Sequence, residues 1–523
     1  VKVLVSDPIS EQGIEILSKE VDVDIATGLE PSELIKRIGD YEALIVRSET
    51  QVTKDVINTG KKLKIIGRAG VGVDNIDVNA ATERGIIVVN APEGNTISAA
   101  EHTIAMMMAL SRNIPQANAS LKGKKWDRKR FMGVEVRDKI LGVIGLGRIG
   151  TEVARRAAGM EMKILAYDPF ISPERAEELG VELTTVEGIV KRADYITVHT
   201  PLTKETKNLI SDREFAIMKK GARLVNCARG GIINEEALAK AVRDGIVSGA
   251  AIDVFTKEPP FDNPLLELDS VIVTPHLGAS TEEAQINVAV TVAEQVINAL
   301  KGLPVKNAIN MPYVKPDVMQ ILEPYLPLAE KLGKLCTQLM GSNYEKIEVS
   351  YCGEIADQNV APLTLAVLKG LLEPVLGPGV NYVNAPGIAK ERKIKVIESK
   401  SETVDGYPSQ ISVRLSKKGD EKLVNGTILG KEPRIIKIDT YRIDVVPTGY
   451  MIVAKHEDRP NIIGPCCMIL GRNNINIAGM QVGRIAIGGE AIMVLNIDCD
   501  VSDGILDEIR SINGIIDAKR VVL

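Results

Sequence analysis

Over residues 1–92 the chain alternates two kinds of pattern. Nearly continuous apolar runs, VKVLVSD, VDVDIA, EALIVRS, LKIIGRAG and GIIVVNAP, read as strands. Between them GIEILSKE, PSELIKRI and TKDVINTG carry apolar residues at helical spacing, the last with Thr53 as its N-cap. Strands without polar alternation, separated by helices, predict a parallel sheet covered on both faces. A long helix is expected from Ser98 to about Arg112. A second α/β run starts at Lys139, with KILGVIG, KILAYD, YITVHT, RLVNCARG, GAAIDVF and SVIVTP as strands. A helix from Thr281 to about Leu300 closes it, and KGLPVKNAINMP reads as a linker.

The pattern changes after residue 317. Helices LAEKLGKLCTQLM and APLTLAVLKGLLEPVL come early, and strands SQISVRLS, LVNGTILG and PRIIKIDTYRIDVV come late. From residue 449 the order is strand, helix, strand, strand, helix, strand, the split βαβ of ferredoxin-like folds. The expected fold class is α/β, with two doubly wound parallel-sheet domains, followed by an α+β domain and a ferredoxin-like one.

Gly145-Leu-Gly147-Arg-Ile-Gly150 follows the strand ILGVI and opens the helix RIGTEVARRAAG. In that context the three glycines predict a dinucleotide site: a tight turn, close approach to a pyrophosphate, and close helix–strand packing. The helix N-terminus adds free N–H groups and a positive partial charge. The next strand ends at Asp168, where a carboxylate suits the ribose hydroxyls of NAD and repels the 2′-phosphate of NADP.

Ligands of such sheets sit outside the carboxyl ends of the strands. Thr200, Cys227 with Arg229, Asp253 with Glu258, and His276 follow four successive strands. One arginine, one acid and one histidine would meet in a single crevice. Oxidation of a secondary alcohol needs a base for the hydroxyl proton, which suits His276. Glu258 would orient the imidazole and stabilise its charged form. Arg229 would hold a carboxylate and polarise a carbonyl.

Composition narrows the partners. At roughly 100–200 residues per domain, the chain divides into three or four. A net charge of -5 implies no general affinity for nucleic acid or anionic membrane. Cysteines 227, 336, 352, 466, 467 and 499 form no C-x-x-C pair and no short metal spacing, so a reduced cytoplasmic setting and no metal site are expected. No apolar run approaches the ~20 residues that span a bilayer, and the opening VKVLVSD reads as a strand rather than a signal peptide. The segment 122–130 carries six Lys or Arg residues around the only tryptophan. It reads as a solvated arm or oligomer contact, or else as a rim that steers an anionic substrate. His102, His199 and the Cys466-Cys467 pair read as structural.

Taken together, GLGRIG with Asp168, NCARGG, DVFTKEPP and PHLGAST resemble the D-isomer-specific 2-hydroxyacid dehydrogenases. VRSET, IGRAGVGVDNID, NTISAAEHT, RNIPQA, KRFMG and KGLLEPVLGPGVNYVNAPGIAKER resemble its long-form members, which oxidise D-3-phosphoglycerate. The resemblance implies a flavodoxin-like substrate domain over 1–95 and 285–311 and a Rossmann NAD domain over 96–284. It also implies an intervening domain over 312–447, able to bind an anion, and an ACT regulatory domain over 448–523. Arg229, Glu258 and His276 become the catalytic set. NAD contacts fall to Gly145, Gly147, Arg148, Ile149, Gly150, Asp168, Thr200, Cys227 and Asp253. The N–H groups of Gly70 and Val71 would hold the substrate carboxylate, Asn95 would border substrate and nicotinamide, and Arg47 and Arg68 would take the phosphate. His456, Asp458 and Asn476 would bind L-serine at a dimer interface. Asn461 and Asn473-Asn474 stand where glycines are common, a change the backbone tolerates because asparagine enters the left-handed region. The implied activity is oxidation to 3-phosphohydroxypyruvate, the first step of phosphorylated L-serine biosynthesis, in a serine-regulated dimer or tetramer. A glyoxylate or hydroxypyruvate reductase of the same family and an NAD-sensing scaffold are the alternatives.

Overall fold

Val3, Leu4 and Val5 are all fully buried, so the first strand is an interior one. The computed structural model describes residues 1–402 and 406–523. Its first sheet holds β1 (Lys2–Val5), β2 (Asp22–Ile25), β3 (Ala43–Val46), β4 (Ile65–Arg68) and β5 (Ile87–Asn90). All pairings are parallel and the order is β2-β1-β3-β4-β5, the flavodoxin-like arrangement. Thr53 does precede the helix Lys54–Thr59, but its side chain makes no capping bond.

The helix Thr96–Arg112 carries the chain into the second sheet, and Asn95 stands at its N-cap. That sheet holds β6 (Ile140–Ile144), β7 (Lys163–Tyr167), β8 (Glu182–Leu183), β9 (Tyr195–Val198), β10 (Ala222–Asn226), β11 (Val247–Ile252) and β12 (Val271–Val273). The order β12-β11-β10-β9-β6-β7-β8 is parallel throughout, with its switch point between β6 and β9. The pattern missed two features here. β8 is only two residues long, and a helix, Ile114–Lys122, follows a left-handed turn at Asn113. Trp126 beyond it is 79% exposed.

The helix Glu282–Leu300 returns to the first sheet, with Thr281 capping the Ala284 N–H at 3.2 Å. Gly67 in β4 is what lets it approach, since a Cβ there would lie 2.6 Å from Val292. Asn310 then ties the chain to β5, accepting from the Val88 N–H at 2.9 Å and donating to the Ile86 carbonyl at 2.8 Å.

The third sheet holds β13 (Lys346–Gly353), β14 (Lys395–Ser401), β15 (Ser409–Lys417), β16 (Asp420–Leu429), β17 (Glu432–Ile438) and β18 (Tyr441–Val445), in the order β14-β13-β15-β16-β17-β18. β13 lies between helices and β14 directly follows one, and both escaped the sequence pattern; PRIIKIDTYRIDVV is a hairpin of two strands rather than one run. Helices Tyr325–Met340 and Ala361–Leu376 cross at Gly333 and Gly370, where a Cβ would meet facing carbonyls at 2.4 and 2.0 Å. The last sheet holds β19 (Tyr450–Glu457), β20 (Ile477–Arg484), β21 (Glu490–Ile497) and β22 (Ile515–Val522) in the antiparallel order β20-β21-β19-β22. With its two helices this is a ferredoxin-like fold. Asn461 and Asn474 take φ of 65° and 57°, so asparagine does enter the left-handed region there. Met451, Val453, Ile492, Val494 and Val521 join the core of the third sheet. Gln338 seals the junction with a pair of 2.9 Å bonds to the Val522 N–H and carbonyl.

Candidate active site

β6 ends in a turn that only glycine fits. Gly145 has φ of 94°, and a Cβ there would lie 2.7 Å from the His199 carbonyl oxygen. At Gly150 a Cβ would lie 2.0 Å from the Gly145 carbonyl oxygen, so the helix Arg148–Gly159 seats directly on the turn. Gly147 opens to free space and caps that helix without a side-chain bond, which leaves its first N–H groups for an anion. Asp168 binds the turn to β7, accepting from Leu146 N–H at 2.8 Å and from Phe170 N–H at 2.9 Å. A carboxylate has lone pairs left after two such bonds.

A cavity of about 410 Å³ adjoins the turn, lined by Asn95, Arg148, Ile149, His199, Thr200, Cys227 and His276 among others. Asn95 Oδ1, His199 Nδ1 and Thr200 Oγ1 are buried without a partner. Unpaired buried polar atoms are costly, so three beside one cavity fit a polar ligand such as a nicotinamide nucleotide. Burial pushes the His199 imidazole down to about 4, so it is neutral. Burial likewise pushes the Cys227 thiol up to about 12.

His276 takes φ of 58°, a left-handed conformation that a non-glycine residue keeps only when its surroundings enforce it. The enforcement is Asp253, which is fully buried. Its carbonyl accepts the His276 N–H at 2.9 Å, and its carboxylate accepts from Thr274 Oγ1 at 2.6 Å and from the N–H groups of Leu277 and Gly278 at 2.7 and 2.9 Å. His102 Nε2 completes the set at 3.2 Å. Burial raises the Asp253 carboxyl, but the bonds from His102, Thr274 and Leu277 outweigh it and hold the group below its ordinary value. Asp253 thus builds the His276 turn from beneath; the cavity beside the glycine turn is lined by its neighbours His276 and Gly278 rather than by Asp253 itself.

The imidazole Nδ1 lies 2.9 and 3.1 Å from the two Glu258 oxygens. Burial raises Glu258, while the His276 contact and the Phe255 N–H outweigh it and keep its carboxyl below the usual range. Glu258 in turn sits on a loop stapled by Glu235, which accepts from the Thr256 N–H and hydroxyl, both at 2.7 Å, and from the Asn263 amide.

A second cavity, of about 650 Å³, joins both sheets. Arg47, Arg68, Gly70, Val71 and Asn95 reach it from the first sheet's side, and Arg229, Glu258 and His276 from the second's. Arg68 is largely buried. Burial, then the nearby Arg229 charge, push its guanidinium down to about 10. Its Nε donates to Asn75 at 2.9 Å, while Arg47 Nη1 reaches the Pro8 carbonyl at 3.3 Å. The Gly70 N–H already donates to the Arg68 carbonyl at 2.8 Å, so it is engaged within its own turn.

In the last sheet, His456 is buried, with Nδ1 at 2.8 Å from the Glu457 carbonyl and Nε2 without a partner. Asp458 accepts from Arg484 and from Gly488 N–H, both at 3.2 Å. Asn476 donates to Asp498 at 2.8 Å. It lies level with Asp498 and Asp458 level with Gly489, at opposite ends of β21, so one chain does not bring the three together.

Residues 104–278 match the family described as D-isomer specific 2-hydroxyacid dehydrogenase, NAD binding domain. Residues 321–439 match the D-3-phosphoglycerate dehydrogenase intervening domain. A D-3-phosphoglycerate dehydrogenase of Archaeoglobus fulgidus is 51% identical over 526 residues, covering 100% of both chains. That of Bacillus subtilis is 46% identical, covering 100% of this chain and 99% of its own. The chain belongs to the D-isomer specific 2-hydroxyacid dehydrogenases. It is an NAD-dependent dehydrogenase of that family's phosphoglycerate dehydrogenase type. The chain is similar to a solved protein of Thermus thermophilus, with 32% identity over 59% of this chain and 100% of that one, at a TM-score of 0.56. An Aquifex aeolicus D-lactate dehydrogenase complexed with NAD and lactic acid aligns with 27% identity over 60% of this chain and 100% of that one, at a TM-score of 0.53. Among the described residues no helix is long and apolar enough to cross a membrane.

Proposed function

We propose that the chain oxidises D-3-phosphoglycerate to 3-phosphohydroxypyruvate and so opens the phosphorylated route to L-serine. The observation that carries this reading is the 650 Å³ cavity, where the Glu258–His276 pair and Arg229 share walls with Arg47 and Arg68. A 2-hydroxy acid needs one cation for its carboxylate, and a phosphorylated one needs more. NAD, when bound, accepts the C2 hydride. Every other task falls to the protein. His276 Nε2 takes the C2 hydroxyl proton while Nδ1 stays bonded to Glu258, which stabilises the imidazolium. Arg229 holds the substrate carboxylate with the Val71 N–H, and Arg47 and Arg68 hold the phosphate. The helix at Arg148 and Ile149 receives the pyrophosphate, Asp168 the ribose, and Thr200 and Cys227 border the nicotinamide with Asn95.

L-serine is the regulator in this reading, bound between two copies by His456 and Asp458 of one and Asn476 of the other. The edge position of β20 and its exposed Met480 support such a pairing. The test is NADH formation from D-3-phosphoglycerate with a ketone trap, with and without L-serine. Turnover that serine suppresses is the expected result. Reduction of glyoxylate with no turnover of the phosphorylated acid would overturn the substrate assignment.

A further inference from the structure

Arg229 is held from two sides. Its Nε donates to Asp74 Oδ2 at 3.2 Å and its Nη1 to the Ala228 carbonyl at 2.7 Å. Nη2 stands against Gly72, where a Cβ would lie 2.1 Å from it. Asp74 follows β4 in the first sheet's unit, and Arg229 follows β10 in the second, 155 positions away. The contact therefore spans the cleft.

Surface ion pairs contribute little, because flexible side chains must be ordered to make them. Asp74 differs in its mounting. The next residue, Asn75, is buried. Its amide donates to the carbonyls of Arg47 and Thr50, both at 2.7 Å, and its oxygen accepts from Arg68. The loop that presents the Asp74 carboxylate is thus fixed by the same bonds that fix Arg68. Asp74 also brings a negative charge to a cavity where three guanidiniums converge.

We propose that Asp74 is the positioning residue of Arg229, and that it makes the orientation of this guanidinium conditional on closure of the cleft. The inference rests on the reading of Arg229 as the substrate-binding arginine. With Nε and Nη1 anchored, the guanidinium plane is set and Nη2 is left for the substrate. When the cleft opens, Asp74 leaves with the first unit and the fork is free to turn. Capture of substrate and alignment of the arginine are then one event. A misplaced binding group costs rate more than affinity.

The test uses the reduction direction, with 3-phosphohydroxypyruvate and with glyoxylate, on the full chain. Asp74→Asn keeps the shape and removes the charge. The expected result is a kcat lower by about ten-fold or more, with NADH affinity and thermal midpoint unchanged. Asp74→Glu should recover part of the loss. In an Arg229→Lys background, Asp74→Asn should cost little more, because the two act as one unit. A normal kcat in Asp74→Asn, or a lower KM at unchanged kcat, would overturn the proposal; the latter would mean that Asp74 competes with substrate. Fully additive losses in the double variant would overturn it as well. A wild type active on glyoxylate alone would sink the phosphoglycerate assignment, while the Asp74 comparison would still be read on glyoxylate.

Discussion

His276 Nδ1 lies 2.9 Å from Glu258 Oε2, although the two residues sit on separate loops after β12 and β11. Each side is braced from below. Asp253 holds the His276 turn, and Glu235 staples the Glu258 loop. The pair is a product of the sheet's strand order, which puts neighbouring strand ends into one crevice.

Glu258→Gln removes the charge and keeps the size. Glu258 is held below the ordinary carboxylate range, so it stays ionised through neutral pH in the wild type. The amide cannot stabilise an imidazolium, and kcat/KM is expected to fall by about 100-fold or more. NAD affinity should hold, because Glu258 lines the substrate cavity and not the nucleotide turn. Steady-state kinetics with a parallel NAD titration by fluorescence checks both. An unchanged kcat/KM would remove Glu258 from the proton path.

Arg68 separates phosphorylated from plain hydroxy acids. A charge-assisted bond contributes about 1.5–3 kcal/mol, so Arg68→Gln should raise the KM for 3-phosphohydroxypyruvate by about 10- to 100-fold. The KM for glyoxylate should move little. Equal changes for both substrates would assign Arg68 to the loop's structure, through its bond to Asn75.

The strand-end residues were legible because a parallel sheet sends ligands to one edge, and that rule needs only strands and their order. Gly145, Gly147 and Gly150 carried their own context of strand and helix. The braces did not show in the sequence. Asp74 meets Arg229 across 155 positions, and Glu235 meets Thr256 across 21 from a helix N-terminus where acids are common anyway. His102 looked like one more residue of a helix rich in Met and Ala, and only the tertiary fold sets it against Asp253. β13 alternates buried and half-buried residues as a strand should, but it stands between two helices that dominate the local pattern.

Glu235→Gln tests the staple. The amide can still accept one bond but loses the charge that favours accepting from Thr256 and Asn263 at once. Loss of charge-assisted bonds costs about 1–3 kcal/mol, and the expected signs are a lower thermal midpoint and a several-fold fall in kcat. Proteolysis should find the 256–263 loop more readily in the variant. Normal kcat with a lowered midpoint would confine Glu235 to stability.

His199 sets a pH dependence of stability. Its folded value is about 4, against about 6.5 for a free histidine, because burial disfavours the charged form. Between these values the unfolded chain binds a proton that the folded chain does not. Stability therefore rises with pH across that window, is complete above about 6.5, and falls as pH drops toward 4. The full difference corresponds to about 3 kcal/mol. His199→Gln cannot take up that proton, so its midpoint should decline less than the wild type's between pH 6.5 and 4. The Glu258 and Asp253 carboxyls are held below their ordinary values, so their stabilisation is lost as pH falls below the ordinary carboxylate range, at and beneath the acid end of this window, and the comparison is the difference between variant and wild type. Parallel declines in the two proteins would mean that the imidazole reaches solvent and titrates as it does in the unfolded chain.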